Sequence, residues 1–583
     1  MYFERDRLKP VTTMQALSSR KVVTASADAG VVALQGPASS TLSAIYQSFD
    51  YFSIQGIKCH LVLKSSHLNS PPRPLNMFTN NSFDVQVTSS TNIFPELTQG
   101  VGIFVPLSIF DNASAGFAHC AAAWFYDPPS SPASALSASH LQVSLSKTLN
   151  HYRQWCGRLS YATPKPNGSQ NNRYQRIWVA YNLPTDIGIS FVTAKSPKTL
   201  SEFLPSISTR RASLKAWDAS QLPAAELLPK SELSISEDKD APNVIIQFTT
   251  FACGSTAVAI EITHCFADAV SLSRFAKDWS HMSRCLLRSE HLPALTPIFD
   301  PQRLDSFAAG DIDTFSPDPS IITKARSLPQ HRYDWHLQVQ GQPWSTHTPA
   351  DFDTSLTLPP STPIPWHQWG TKAAVSHRVF HFSPQEIQNI YSLATPSSVR
   401  PLKISKHDAL LAHIWSQITL ARQIPENTIV YLDMTFGLRP RVSPPLPDSF
   451  LGSPITHAAI PYTVSSSPPS ISSLAQMIRK TLAIFTPEAV VNHLHDVASE
   501  VAPQRLWRAC LGREPVLLTM WVHAGVYEVD FGGGGPRYVE VVMPNCDGLV
   551  EVMEAGDVRR EGGERADWIS RVRMLVFILR LRL

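Results

Sequence analysis

Two apolar runs of strand length, Val244–Phe251 and Thr256–Ile262, are separated only by Ala252, Cys253, Gly254 and Ser255. Both are rich in β-branched residues, and a short glycine-containing link closes neighbouring strands into a hairpin. The second run leads through Thr263 to His264, Asp268 follows four residues later, and Ala269–Leu287 reads as a helix. Strand, turn and helix in such close succession restrict this region to an α/β arrangement that delivers one histidine to a turn.

The rest of the chain is compatible with that frame. At 583 residues it is long enough for more than one hydrophobic core, and 43% apolar with 17% charged residues is ordinary globular composition, so two domains are expected. The formal charge of +3 is spread along the sequence. No dense Lys/Arg block interleaved with aromatics is present, which argues against nucleic-acid or anionic-membrane partners and for a small-molecule substrate. Eight cysteines without a CxxC pair suggest neither a disulfide framework nor a zinc site. Reduced thiols in the cytosol are expected. Met1–Arg7 lacks the layout of a secretory signal, and the apolar run Met574–Leu579 is too short to span a bilayer. The reading is therefore a soluble, cytoplasmic monomer.

Four regions follow from texture. Residues 1–84, rich in Ser, Pro and Asn, read as a weakly structured N-terminal extension, and 85–289 as an N-terminal α/β domain. Within it, Leu141, Val143, Leu145, Leu149 and Trp155 recur at helical spacing, predicting an amphipathic helix that ends at Gly157. The proline-rich stretch 290–375 reads as a long crossover or linker. Residues 376–583 form a C-terminal α/β domain, with helix starts at Ser383-Pro384 and at Ser405.

An imidazole, with an ordinary pKa of about 6.5, suits the removal of a proton from a hydroxyl or amine that attacks a thioester. His264 is the candidate for that task. Asp268 could form a dyad with it, or the two could share a metal ion, but no third ligand cluster presents itself, so no metal is expected. Cys265 invites a nucleophilic reading, which direct attack by the acceptor does not require. Gly532–Gly535 precede a strand and not a helix N-terminus, which favours a packed turn over a phosphate cradle. His407 and His413 lie in a predicted helix and suit core or solvated roles.

Several of these segments together resemble the BAHD-type acyltransferases, in the form found in fungal secondary metabolism. His264-Cys265-Phe266-Ala267-Asp268 matches the family's HxxxD. Trp155–Leu159 is similar to its AGR-type helix end, and Leu438–Pro447 resembles its RxR-then-PPLP segment, followed by Phe450-Leu451-Gly452. Asp530-Phe531-Gly532-Gly533-Gly534 stands where DFGWG is expected, nine residues after Trp521. The resemblance covers roughly residues 85–555. Ala269 replaces the usual glycine after HxxxD, and Gly533 replaces a tryptophan whose loss from a core would cost about 3 kcal/mol. The tail after Gly562 does not resemble the family's ending.

The resemblance implies two chloramphenicol-acetyltransferase-like α/β domains, each with a mixed sheet, joined by a long crossover and enclosing a central channel. It implies acyl-CoA as co-substrate with no permanently bound cofactor, and acyl transfer, with acetyl as the expected group, to a hydroxyl or amine of a small-molecule secondary metabolite. His264 would be the base in a ternary complex. Asp268 would turn away from the substrate to pair with Arg439, with Arg441 as the second choice. Thr519 and Trp521 would line the channel, the Trp521 indole serving as an oxyanion donor, and Asp530, Phe531, Gly532 and Gly534 would be structural. The alternatives are a condensation-type domain and a non-catalytic relative that binds a ligand or partner.

Overall fold

The computed structural model describes residues 82–556 and 572–577, apart from interior segments at 98–99, 130–135, 166, 207–208, 211–215, 230–234, 236–240, 338–360, 370–374, 396–401, 468 and 545. Most of the extension predicted for residues 1–84 thus lies outside the described residues. Phe83 does not belong to such an extension: it is fully buried, edge-on to Phe203 and Phe251 at 4.7 and 5.2 Å between ring centroids.

Two mixed sheets dominate the described residues. The first contains β1 (Gln86–Ile93), β2 (Cys120–Tyr126), β3 (Ile189–Ser196), β5 (Val244–Phe251), β6 (Thr256–Ile262) and β11 (Tyr538–Val541), in the order β1-β3-β5-β6-β2-β11. The β5–β6 hairpin runs antiparallel in the register Ile246 opposite Ile260, and β3 pairs with β5 in parallel. The inner strands are buried on both faces, so they read as continuous apolar runs and do not alternate. The edge strand β1, Gln-Val-Thr-Ser-Ser-Thr-Asn-Ile, is exposed along nearly its whole length, and its polar side chains suit a strand with solvent on one side.

The second sheet contains β4 (Ala216–Asp218), β7 (His377–His381), β8 (Ile429–Gly437), β9 (Ile455–Thr463), β10 (Val516–Met520), β12 (Leu549–Glu554) and β13 (Val572–Phe577), in the order β9-β8-β10-β12-β13-β7-β4. Each sheet borrows from the other half of the chain. β11, late in the sequence, pairs with β2, while β4, from the first half, closes the edge beside β7. The C-terminal tail, unlike the family's ending in sequence, supplies β13 between β12 and β7.

Helices cover the sheets. α3 (Ala269–Leu287) buries Leu272, Phe275, Ala276, Trp279 and Met282, the spacing of one helical face. That face meets α2 (Ala138–Leu149), whose Leu141 carbonyl and Ser144 hydroxyl accept from the Trp279 indole at 3.3 and 3.0 Å. α2 is shorter than the spacing predicted: it stops at Leu149, a 3-10 turn covers Arg153–Cys156, and Val143 is exposed. Gly157 does not end the helix; its missing Cβ lets the backbone press against the Ala180 carbonyl. Ser383 and Ser405 cap α5 (Pro384–Ala394) and α6 (Lys406–Ala421) through capping boxes with Glu386 and Asp408.

The region read as a linker is partly helical. Asp300 and Asp318 cap short helices at Pro301–Asp305 and α4 (Pro319–Arg326), so these prolines occupy first-turn positions, where a missing N–H costs nothing. α4 packs on α8 (Pro487–Ser499), and Arg326 and Arg332 both pair with Asp496 and Glu500. Pattern alone suggested breakers because it did not separate prolines that start helices from prolines that end them.

Trp279 is fully buried, edge-on to Phe531 at 4.6 Å and stacked on Phe275 at 6.2 Å. Trp279→Ala is expected to cost about 3–5 kcal/mol, read as a lowered midpoint of urea unfolding at unchanged slope.

Candidate active site

The turn after β6 is held by its own backbone and by a segment far away in sequence. Thr263 N–H donates to the Asn243 carbonyl and Phe266 N–H to the Thr263 carbonyl, while Ala267 forms an isolated parallel bridge with Gly452. Asp268 is the N-cap of α3: its Oδ1 accepts from Ser271 N–H at 3.0 Å. The structure brings Asp268 together with Arg439, which lies in a 3-10 turn just after β8. Arg439 Nη1 donates to Asp268 Oδ2 at 2.5 Å and Nη2 to Oδ1 at 3.1 Å, and both side chains are at most 5% exposed. Arg439 Nη2 also reaches Ser271 Oγ and the Gly452 carbonyl, and Nε donates to the Phe450 carbonyl. Arg441 goes elsewhere, donating to the carbonyls of Leu482 and Phe485 with its guanidinium over the Phe436 ring.

With Asp268 committed to Arg439, His264 takes another partner. Its Nδ1 lies 2.9 Å from Ser453 Oγ, and Ser453 N–H donates to Asp111 Oδ1 at 2.6 Å. Asp111 belongs to the capping box of a short helix, Ile109–Ser114, with Ser108. Gly452, at φ 119°, makes this approach possible, because a Cβ there would stand 2.8 Å from Asp111 Oδ1. We assign Nδ1–H as donor to Ser453, which leaves the Nε2 lone pair free. Phe117 lies edge-on to His264 at 5.4 Å and also contacts His457 and Trp507. His119 Nδ1 sits 2.8 Å from Glu261 Oε1, on the strand that leads to His264. None of these neighbours, Ser453 directly after Phe450-Leu451-Gly452 included, was singled out in the sequence; they reach the site through tertiary packing.

Desolvation dominates the electrostatics. Burial pushes the His264 pKa down to about 4, against the opposing pull of the nearby Asp268 charge. His264 is thus a neutral imidazole near pH 7. Asp111 is pushed up to about 6 by burial, partly countered by its hydrogen bonds from Ser108 and Ser453. Burial also drives the Cys265 thiol far above its ordinary range, the opposite of what a nucleophilic cysteine needs.

The other sequence candidates are not joined to His264 by any hydrogen bond or ring contact among the described residues. Thr519 is half-buried on β10, and Trp521, 3% exposed, sits in the apolar core of the first sheet. In the Asp530–Gly534 turn, Asp530 Oδ1 accepts from the N–H groups of Gly532 and Gly534 at 2.8 and 2.9 Å. Phe531 packs on Trp279, its carbonyl accepts from Ser283 Oγ, and Arg284 donates to the Asp530 carbonyl. Ser283 is about 22 Å along the helix axis from Asp268, so this turn supports the helix and lies away from the histidine. Gly533 is exposed, so the missing indole leaves no hole in the core and the packing loss anticipated from sequence does not arise. His407 and His413 are desolvated helix residues, the former with Nε2 2.8 Å from Met520 Sδ.

A family model described as the Transferase family matches residues 83–568. Acyltransferase AFT15-1 of Alternaria alternata is 26% identical over 447 residues, spanning 74% of this chain and 83% of that protein. Acyltransferase abl6 of Leptosphaeria maculans is 24% identical over 482 residues, spanning 81% and 90%. Among solved structures, F. graminearum TRI101 complexed with ethyl coenzyme A matches with a TM-score of 0.54 at 14% identity, over 82% of this chain and 95% of that one. The structural likeness shows a shared two-domain α/β fold.

Two outcomes follow for the site. Arg439→Ala leaves the buried Asp268 carboxylate unpaired and is expected to cost about 3–5 kcal/mol in chemical unfolding, whereas Arg439→Lys retains the charge, loses the fork and falls in between. The pH dependence comes from His264, His336, His407 and His413, lowered to about 4, and His457 and His493, lowered to about 3, all by burial. From pH about 6.5 down to about 4 the unfolded chain binds protons on these rings and the folded chain does not, so stability falls as pH falls through that window. Asp111, Asp305, Asp433 and Glu500, raised by burial, take up protons earlier when folded and offset part of the loss, and His331, raised to about 10 against the effect of burial by its carboxylate and thiol neighbours, adds stability as pH falls toward 6.5. Thermal unfolding between pH 6.5 and 4.5 should show a falling Tm.

Proposed function

We propose, on the premise that this chain belongs to the Transferase family, the BAHD-type acyltransferases, that it moves an acyl group from acyl-CoA to a hydroxyl or amine of a small secondary-metabolite-like molecule. That it is an acyltransferase follows from the family and from relatives that carry the name over most of their length. The finer reading is a ternary complex with His264 as general base and acetyl-CoA as the first donor to test. The observation that carries it is the His264 ring: held at Nδ1 by Ser453, desolvated, and neutral at physiological pH. The ethyl coenzyme A in the TRI101 complex supports a CoA thioester as donor.

In this mechanism the acceptor O–H or N–H donates to Nε2 as its heteroatom attacks the thioester carbonyl carbon. The proton passes to Nε2, and Ser453 keeps the ring in one orientation. Collapse of the tetrahedral intermediate breaks the C–S bond, and His264 returns the proton to the departing CoA sulfur. Asp268 does not take part in proton transfer, since Arg439 and the α3 N-terminus occupy both of its oxygens. Its role is to position the turn. No oxyanion step is routed through the Trp521 indole, which lies in the core.

Incubation with acetyl-CoA and a panel of alcohols and amines is expected to release free CoA thiol only when an acceptor is present, and His264→Ala should lower the rate by about 10²-fold or more. With a substrate in hand, kcat/KM should show no break near the ordinary imidazole pKa of about 6.5 as long as circular dichroism shows folded protein. Full activity in the His264→Ala enzyme would remove the base from the mechanism.

A further inference from the structure

Away from the HxxxD turn, the fold gathers an imidazole, a carboxylate and a thiol that lie far apart in sequence: His331 from the crossover, Asp433 from the middle of β8, and Cys510 from the loop before β10. One ligand atom from each lies within 4.8 Å of the other two. Asp433 has no exposed surface, Cys510 is 7% exposed, and the His331 side chain is 12% exposed.

Ligand atoms around one cation must lie close to one another, and this cluster meets that condition. His331 Nε2 and Asp433 Oδ1 are 3.0 Å apart, both buried, and form an ion pair when the imidazole is protonated; neither makes a hydrogen bond of regular geometry. A buried carboxylate oxygen needs a positive partner, and either a protonated His331 or a bound cation supplies one. The other carboxylate oxygen is committed: Asp433 Oδ2 accepts from Cys510 N–H at 2.6 Å, which orients the carboxylate. A tetrahedral zinc ion with bonds of about 2.0–2.3 Å sets its donor atoms about 3.3–3.8 Å apart, against 3.0 Å between His331 Nε2 and Asp433 Oδ1 and at most 4.8 Å for the other pairs. The Tyr333 hydroxyl, 3.3 Å from Cys510 Sγ, stands beside the cluster, and the rings of Tyr333 and Tyr431 flank His331.

The donor set selects the ion. One nitrogen, one carboxylate oxygen and one sulfur suit borderline zinc better than calcium or magnesium, which take oxygen ligands. With Asp433 and Cys510 both ionised, the two negative charges balance a divalent cation in a buried site. We infer that His331 Nε2, Asp433 Oδ1 and Cys510 Sγ hold one zinc ion, which clips the crossover segment and the loop before β10 onto β8. The site is independent of the acyl-transfer reading. It also revises the sequence expectation of no metal, which rested on ligand spacing along the chain.

The test uses the full chain, stripped with a chelator and titrated with Co²⁺ as a spectroscopic stand-in for zinc. Wild-type protein is expected to bind one Co²⁺ per chain, to show a thiolate-to-cobalt charge-transfer band, and to lose the band when Zn²⁺ is added. Cys510→Ser should abolish the band, Asp433→Asn should weaken Co²⁺ binding by about tenfold or more, and Cys546→Ser, a buried cysteine outside the cluster, should change neither. Circular dichroism verifies folding of each variant. Absence of the band from folded wild type, or its persistence in folded Cys510→Ser, overturns the inference and leaves His331 and Asp433 as an ion pair. Should Cys510→Ser not fold, the wild-type titration and the Asp433→Asn affinity decide the matter.

Discussion

The ion pair between Arg439 and Asp268 is the constraint on which the site depends. A buried charge is tolerated only when it is paired and hydrogen-bonded, and a forked guanidinium facing a carboxylate meets both needs at once. Arg439 places both ends of its fork on Asp268, and its Nη2 and Nε also reach Ser271 Oγ and the carbonyls of Gly452 and Phe450. One side chain from just beyond the second sheet thereby fixes three things: the N-terminus of α3, the turn that carries His264, and the strand-like segment ending at Ser453. Each contact is individually modest. Their convergence on a single residue ties the geometry of the turn to the register of the second sheet.

Taking Asp268 out of reach has a chemical consequence. An imidazole hydrogen-bonded to a free carboxylate is held toward its charged form, whereas one hydrogen-bonded to a hydroxyl in a desolvated setting stays neutral. His264 meets Ser453 and not Asp268, and its pKa is pushed down accordingly. The aspartate of the motif thus shapes the turn while Ser453 orients the ring. Asp111, which holds Ser453 by its backbone N–H, adds a third layer of support from a helix cap in the first half of the chain.

The two halves are also joined through their sheets. β11 completes the first sheet from late in the chain, and β4 closes the second from early in it, so neither sheet is assembled from a contiguous stretch. The Asp530–Gly534 turn, just before β11, packs against the far end of α3 through Phe531 and Ser283. The helix that begins at the HxxxD turn is therefore held at one end by the ion pair and at the other by the Asp530–Gly534 turn.

Much of this was legible in the sequence where local physics decides. The β5–β6 hairpin and α3 have the predicted limits, and the caps at Ser383 and Ser405 lie at the predicted residues, because β-branched runs, capping side chains and first-turn prolines act within a few residues of themselves. The segment 290–375 was less legible, since a proline has the same identity whether it starts a helix or interrupts one. His264, Asp268 and Arg439 could be named from the spaced motifs that resemble a known family. What could not be named were partners whose sequence separation carries no signal: Ser453 and Asp111 behind the histidine, Phe117 and His457 around it, and the meeting of His331, Asp433 and Cys510. The sequence by itself determined which elements form and which residues are chemically equipped, because propensity and side-chain chemistry are local. Only the tertiary structure decided which of them meet and how far each is desolvated, because packing, burial and charge pairing depend on residues hundreds of positions apart.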